Sequence, residues 1–263
     1  MTTSTIDQIK ELTHRLRLFG IHNGIESRWA EMQANSLDGA EMLRLLLEDE
    51  MLQRRDALTQ RLTTKAKFRS YVDIEDWDTS FDRGITKSKL TELARGSFCH
   101  NKENLIMLGK TGEGKTHLAQ AIGRRLCQEE IRVSFISVNL LFEEIQCQRA
   151  AGRYLTYIRT LNRSQALILD DFGIRAYTHD EASVLMDILE ERYRKLAVIV
   201  TSQVDPRGWL KLFDDPVIAE AIVDRLANPS QVITLKGGSY REKIGLKLMA
   251  KATKTVESKT KKP

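Results

Sequence analysis

NLIMLGKTGEGKTHLAQAIGRRL, residues 104–126, is the stretch whose reading decides the fold. Leu105 to Leu108 form an unbroken apolar run, as expected of a strand buried on both faces. Gly109 to Thr116 then spell GxxxxGK[ST], and Leu118, Ile122 and Leu126 follow at helical spacing. Strand, glycine-rich loop and helix in this order are the context in which the octapeptide works as a phosphate-binding P-loop.

Each residue type in the loop answers a chemical need. Glycines allow successive backbone N–H groups to turn inward around a β-phosphate at a helix N-terminus, where the helix dipole favours negative charge. Lys115 is expected to neutralise the β/γ-phosphate oxygens and the Thr116 hydroxyl to ligate Mg²⁺. The whole run Gly109, Lys110, Thr111, Gly112, Glu113, Gly114, Lys115, Thr116, with the adjoining His117, is therefore the expected ATP cradle.

Further along comes Ala166-Leu167-Ile168-Leu169-Asp170-Asp171, with Asp170 fifty-five residues beyond Lys115. Four apolar residues ending in two acids read as a buried parallel strand whose carboxylates emerge at its C-terminal end, where ligands bind in open α/β sheets. Asp170 is expected to hold Mg²⁺, directly or through a water, and Asp171 to polarise the attacking water.

Working outward, VSFISV, AVIVTS and VITL are further short apolar runs, and helical patterns separate them. The alternation predicts an α/β fold, a parallel P-loop sheet flanked by helices. Upstream, Ile6, Ile9, Leu12 and Leu16 recur at helical spacing, and a second run carries Met42, Leu43, Leu46, Leu47 and Met51. Asp38 with Glu41 gives that second run a capping box. A cationic stretch, Arg54, Arg55, Arg61, Lys65, Lys67 and Arg69, opposed only by Asp56, marks the end of this part. The expected domains are a helical N-terminal domain at 1–67, a nucleotide-binding core at 68–245 and a basic tail at 246–263.

The net charge is +5, but Lys236 to Pro263 holds nine Lys/Arg against Glu242 and Glu257. Such a tail suits a polyanion such as nucleic acid, and also a plainly solvated terminus. Three widely spaced cysteines, Cys99, Cys127 and Cys147, suggest neither a disulfide framework nor a zinc site. No run approaches the roughly 18 apolar residues of a membrane span, and the N-terminus lacks a signal-peptide core, so the expected location is the bacterial cytoplasm.

GKTGEGKTHLA, LILDDFGI, IVTSQ, AIVDRLAN and LKGGSYREK, in this order and spacing, resemble the IstB-like transposition helper ATPases. These are AAA+ proteins related to the helicase loader DnaC and the initiator DnaA. The resemblance spans nearly the whole chain and implies an AAA+ core without a C-terminal lid domain. It implies ATP hydrolysis with ATP and Mg²⁺ as cofactors, a homo-oligomer with ATP sites at subunit interfaces, and an assembly on double-stranded DNA. The partner implied is the transposase of the same element, with a helicase-loader role as the alternative.

By the same resemblance, Gln203, or the Thr201 and Ser202 hydroxyls beside it, contacts the γ-phosphate or the attacking water. Arg225 falls on the position of an arginine finger acting on the adjacent subunit, and Arg241 lies near the nucleotide or near DNA. The second acid is Asp171 where many AAA+ proteins carry Glu, and the shorter arm suits a slow, switch-like ATPase.

Between Glu144 and Asp170 there is no acid, while Arg149, Arg153, Arg159 and Arg163 gather with Tyr154 and Tyr157. Arg149 and Arg153 are expected on one helix face. With Arg54, Arg55, Lys65 and Lys67, these side chains are the expected contacts to DNA, chiefly through its backbone, since no base-reading motif is evident. Two other readings compete: a small-molecule kinase, which lacks a second substrate signature here, and a scaffold that binds nucleotide without hydrolysing it.

Overall fold

Five apolar runs become strands in the computed structural model: β1 Asn104–Leu108, β2 Val133–Ser137, β3 Ala166–Phe172, β4 Ala197–Ser202 and β5 Ser230–Thr234. The described residues are 3–36, 38–77 and 83–237. The strands pair in the order β2-β3-β4-β1-β5, every neighbour parallel. Leu105, Ile106, Met107 and Leu167 to Leu169 are fully buried, which is why these strands read as continuous apolar runs rather than as alternating ones.

Eleven α-helices occur among the described residues. The N-terminal ones are α1 Thr3–Arg15, α2 Phe19–Asn35 and α3 Gly39–Ala66. Around the sheet lie α4 Lys87–Ala94, α5 Ser97–His100, α6 Lys115–Gln128, α7 Val138–Ala150, α8 Tyr154–Leu161, α9 His179–Arg192, α10 Pro206–Trp209 and α11 Pro216–Ala227. Local chemistry fixes their starts. Thr178 and Glu181 form a reciprocal capping box at α9, and Asp215 caps α11 with Pro216 in its first turn.

Two compact units divide between Arg61 and Leu62, inside the continuous 28-residue α3. In the first unit Ile21, Ile25, Met42 and Leu46 are buried together, with Ile6, Ile9 and Leu18 packed against them. Gly20 lets the helix backbones touch: a Cβ there would lie 2.5 Å from Glu50 Cα. The buried Glu50 carboxylate accepts from Gly20 N at 2.7 Å, satisfying an orphan donor of the first turn of α2, and also binds Arg54 Nε at 2.7 Å. The apolar stripes are only partly used. Leu12, Leu16, Leu43, Leu47 and Met51 remain exposed, since the contact between two slender helices covers one narrow face of each.

The second unit holds the sheet. Its largest apolar cluster joins Leu167, Leu169, Phe172, Tyr177, Leu185, Ile188, Trp209 and Ile222, with Phe172 and Trp209 edge to face at 4.8 Å. The expected helical face shared by Arg149 and Arg153 does not form. Gly152, at φ 66°, ends α7 in a left-handed turn, and Arg153 becomes the residue that starts α8. Glycine meets that conformation without steric cost, so the break costs little. The basic tail at 246–263 lies outside the described residues.

Candidate functional site

β1, β3 and β4 end on the same edge of the sheet, Leu108 beside Ser202 and Ser137 beside Asp170. The P-loop leaves β1 at that edge and enters α6. Together they make a cleft of about 490 Å³ lined by Thr111, Gly112, Gly114, Lys115, Thr116, His117, Asp170, Asp171 and Gln203. Topology thus gathers the expected nucleotide and acid residues from three separate parts of the chain. A somewhat larger groove, about 580 Å³ between α4, α6 and Trp77, contains no comparable phosphate-binding constellation.

The loop is held in shape by its own side chains. Glu113 is buried and its Oε2 accepts from Lys110 N at 2.6 Å. Gly114 sits at φ 93°, a left-handed conformation that favours glycine. Lys115 is almost fully buried, and its Nζ donates to Gly109 O at 2.7 Å and Lys110 O at 2.8 Å.

Asp170 is fully buried at the end of β3. Its Oδ1 accepts from Thr116 Oγ1 at 2.8 Å and from Thr201 Oγ1 at 2.6 Å, while Oδ2 is buried without a hydrogen-bond partner. Burial raises its pKa above the ordinary carboxylate value, against the lowering by Thr201 and Thr116. An orphaned carboxylate oxygen beside a threonine hydroxyl at a P-loop fits a hard cation, which takes oxygen ligands. Among the described residues no cluster of three or more His, Cys, Asp or Glu could hold a metal, so most ligands of such an ion would come from nucleotide and water.

Asp171 adopts φ 60°, and the β3–β4 register shifts between Leu169 and Phe172. A bulge of this kind re-aims a side chain, and aspartate is among the few non-glycine residues that adopt the left-handed region readily. The bulged backbone is fixed by Asp171 N donating to Thr201 Oγ1 at 2.9 Å. Both acids line the cleft, Asp170 fully buried and Asp171 partly exposed.

The three candidate sensor side chains differ in burial. Thr201 is committed to Asp170 and Asp171, and Ser202 Oγ donates to Phe172 O and accepts from Trp209 Nε1. Both are buried, whereas Gln203 lines the cleft and accepts from Thr111 Oγ1 at 2.8 Å.

Arg225 does not line this cleft. Asn104, which opens β1, donates from Nδ2 to Arg225 O at 2.8 Å, so Arg225 sits at the sheet edge opposite the P-loop. Its guanidinium pairs with Glu190 and donates from Nη1 to Ala221 O. Arg241 lies outside the described residues.

Several residues of the cleft escaped the sequence reading: Arg69, Ser70, Arg83, Gln120 and Ile174 also line it. Trp77 packs over His117, ring centroids 6.1 Å apart, and Arg83 stacks 3.3 Å over the Trp77 ring. Burial, and then the Arg83 charge, lower the His117 pKa. The acidic-aromatic character of 73–82 was the visible signal, but no local rule ties such a segment to a P-loop.

The expected DNA contacts scatter. Arg149 pairs with Asp180 at 2.6 Å and lies 4.8 Å over the Tyr154 ring, and Arg153 Nε donates to Gln148. Tyr157 is half-buried against the core, its phenol pushed up to about 12 by burial, which leaves less of the ring for nucleic acid than expected. Arg159, Lys65 and Lys67 are exposed, Arg54 is held by Glu50, and Arg55 is an exposed residue of α3. Cys99, Cys127 and Cys147 are free thiols.

The family model described as IstB-like ATP binding protein matches residues 11–247. The chain belongs to the IstB-like ATP-binding protein family. It is 34% identical over 231 residues to an insertion-sequence ATP-binding protein, y4pL, of Sinorhizobium fredii, covering 86% of this chain and 94% of that one. It is 31% identical over 236 residues to the IS21 ATP-binding protein of Pseudomonas aeruginosa, covering 90% and 89%. In fold, this IstB-like chain is similar to DnaI, at a TM-score of 0.53 and 21% identity over 71% of this chain and 98% of that one. It is also similar to AMPPCP-bound DnaA from Aquifex aeolicus, at 0.52 and 18% identity over 68% and 54%. The sheet and its helices are thus an AAA+ fold, as expected. No helix among the described residues is long and apolar enough to cross a membrane.

Proposed function

We propose that this IstB-like protein is an ATPase that assembles on double-stranded DNA and recruits the transposase of its own insertion sequence. The observation that carries the reading is the buried, partnerless Oδ2 of Asp170 beside Thr116 at the mouth of a P-loop. Leaving a buried carboxylate oxygen unsatisfied costs free energy unless a ligand completes it. Mg²⁺ held by Thr116, Asp170 and the nucleotide would supply electrostatic stabilisation of phosphoryl transfer. Lys115 binds the phosphates, Asp171 orients and polarises the attacking water, and Gln203 stands at the terminal phosphate. The names of the relatives, insertion-sequence ATP-binding proteins, support the transposition setting. The helicase-loader alternative rests on likeness of fold alone.

The test is phosphate release by the full chain with and without duplex DNA, read with oligomer size by sedimentation. Hydrolysis stimulated by DNA and accompanied by assembly is expected; nucleotide binding without any phosphate release would leave the non-hydrolysing scaffold.

Arg225 lies away from its own P-loop, which supports the reading that it acts on a neighbouring subunit once it leaves Glu190. Arg225→Ala and Lys115→Ala proteins should each be inactive alone, yet a mixture should regain part of the ATPase, because one junction then combines an intact P-loop with an intact finger. Inactivity of all mixtures that still assemble would count against action in trans.

DNA contact through phosphates should make affinity fall steeply with salt and vary little with sequence. Replacing Arg149 and Arg153 together should lower the salt slope by about one unit per lost phosphate contact. Arg149 must leave Asp180 to bind DNA, so Asp180→Asn should tighten binding. A complex insensitive to salt, or one unaffected by all three substitutions, would contradict this surface.

A further inference from the structure

By sequence Arg69 belongs to a run of cations at the end of the helical region, and nothing but a surface or DNA role suggests itself. Its place in the fold is different: Arg69 lines the same cleft as Lys115, Thr116, Asp170 and Asp171.

It is held there from three directions. Gln120, one turn beyond Thr116 on α6 and nearly fully buried, accepts from Arg69 N at 2.8 Å and Ser70 N at 3.1 Å. The Gln120 amide is itself oriented by Nε2 donating to Thr116 O at 3.3 Å. Farther along, Arg124 pairs with Asp73 at 3.1 Å and lies 3.2 Å from the Tyr71 ring, so the extended segment 69–73 is strapped along α6. At the side-chain end, Arg69 Nη2 donates to Ser137 Oγ at 2.8 Å, and the guanidinium lies 5.7 Å from the Phe135 ring centroid.

Ser137 ends β2 and stands opposite Asp170 in the β2–β3 register. The guanidinium is therefore fixed one strand away from the buried acid, and its charge favours the ionised form of that acid. Nε and Nη1 have no partner among the described residues. A side chain meant for a flexible surface role gains nothing from such anchoring, whereas a phosphate ligand gains by losing its rotamer freedom before binding.

We propose that Arg69 is a nucleotide-binding residue acting in cis, which donates to the terminal phosphate oxygens of ATP bound beside Asp170. The inference rests on the ATP-site reading above and adds to it a residue outside the P-loop, the acids and the sensor. A planar guanidinium with free donors suits phosphate oxygens, and ADP lacks the terminal phosphate it would meet. Arg69 thus makes the site selective for the triphosphate.

The experiment is equilibrium titration of the full chain, and of Arg69→Ala and Arg69→Lys proteins, with a non-hydrolysable ATP analogue and with ADP, both with Mg²⁺. Arg69→Ala should weaken the analogue roughly tenfold or more, the loss of a charge-assisted hydrogen bond, and ADP less than about threefold. Arg69→Lys should recover part of the loss and remain soluble and folded if the alanine protein does not. The salt slope of DNA binding should not change. Equal losses for both nucleotides, no loss for either, or a salt slope lower by about one unit would overturn the assignment in favour of a strap or a DNA contact. If the unmodified chain binds neither nucleotide, the ATP-site reading itself falls and this inference with it, a result distinct from a loss confined to the variants.

Discussion

Lys115→Ala should abolish measurable ATP binding, with affinity lower by roughly a hundredfold or more, because the charge-assisted contacts of one ammonium to two phosphates are removed together. The fold should survive. In the unliganded protein the Lys115 Nζ donates to Gly109 O and Lys110 O, both on the loop itself, so these contacts tie it to the loop and not to the sheet. Glu113 still closes the loop on Lys110 N. Titration with a fluorescent ATP analogue, read beside thermal unfolding, separates the two effects. Binding within about threefold of the parent would remove the P-loop from the proposed site, and a collapsed unfolding transition would show that Lys115 is needed for folding.

Asp171→Asn should leave ATP affinity within about threefold of the parent while lowering kcat by roughly a hundredfold to ten-thousandfold, the usual range for loss of a positioned base. The substitution is chosen for its backbone. Asp171 sits at φ 60°, and asparagine is among the few residues that accept the left-handed region readily, so the β3 bulge and the bond from residue 171 N to Thr201 Oγ1 should persist. Single-turnover phosphate release measures the chemical step directly. Parental turnover would show that Asp171 is not the group that activates water. The same backbone gives a physical reason for aspartate where many AAA+ proteins carry glutamate. A left-handed residue in a bulge favours the short polar side chain, and the shorter arm is then accommodated by the bulge itself.

The P-loop was legible because everything it needs is local: apolar run, glycines, lysine, threonine and helix are contiguous in residues 104–126. Asp170 and Asp171 were legible for a related reason, since a strand buried on both faces announces itself by an unbroken apolar run and must deliver its next residues at the sheet edge. Their different fates were not. Which acid turns inward depends on a register shift against β4 and on the Thr201 hydroxyl, 30 residues away in sequence. The helical face joining Arg149 to Arg153 failed for the opposite reason. Helical spacing was projected across Gly152, and one left-handed glycine ended the helix.

Sequence alone thus determined the strands, the P-loop and the paired acids, because local periodicity and contiguous chemistry encode them, and the resemblance of its motifs indicated the family. Only the tertiary structure buried Thr201 and Ser202 while leaving Gln203 in the cleft, set Arg225 at the edge away from the P-loop, and brought Arg69 into the cleft of Asp170. Each of these depends on which strand lies next to which. Strand order is fixed by long-range packing of crossover helices on a parallel sheet, and no local run of residues carries that information.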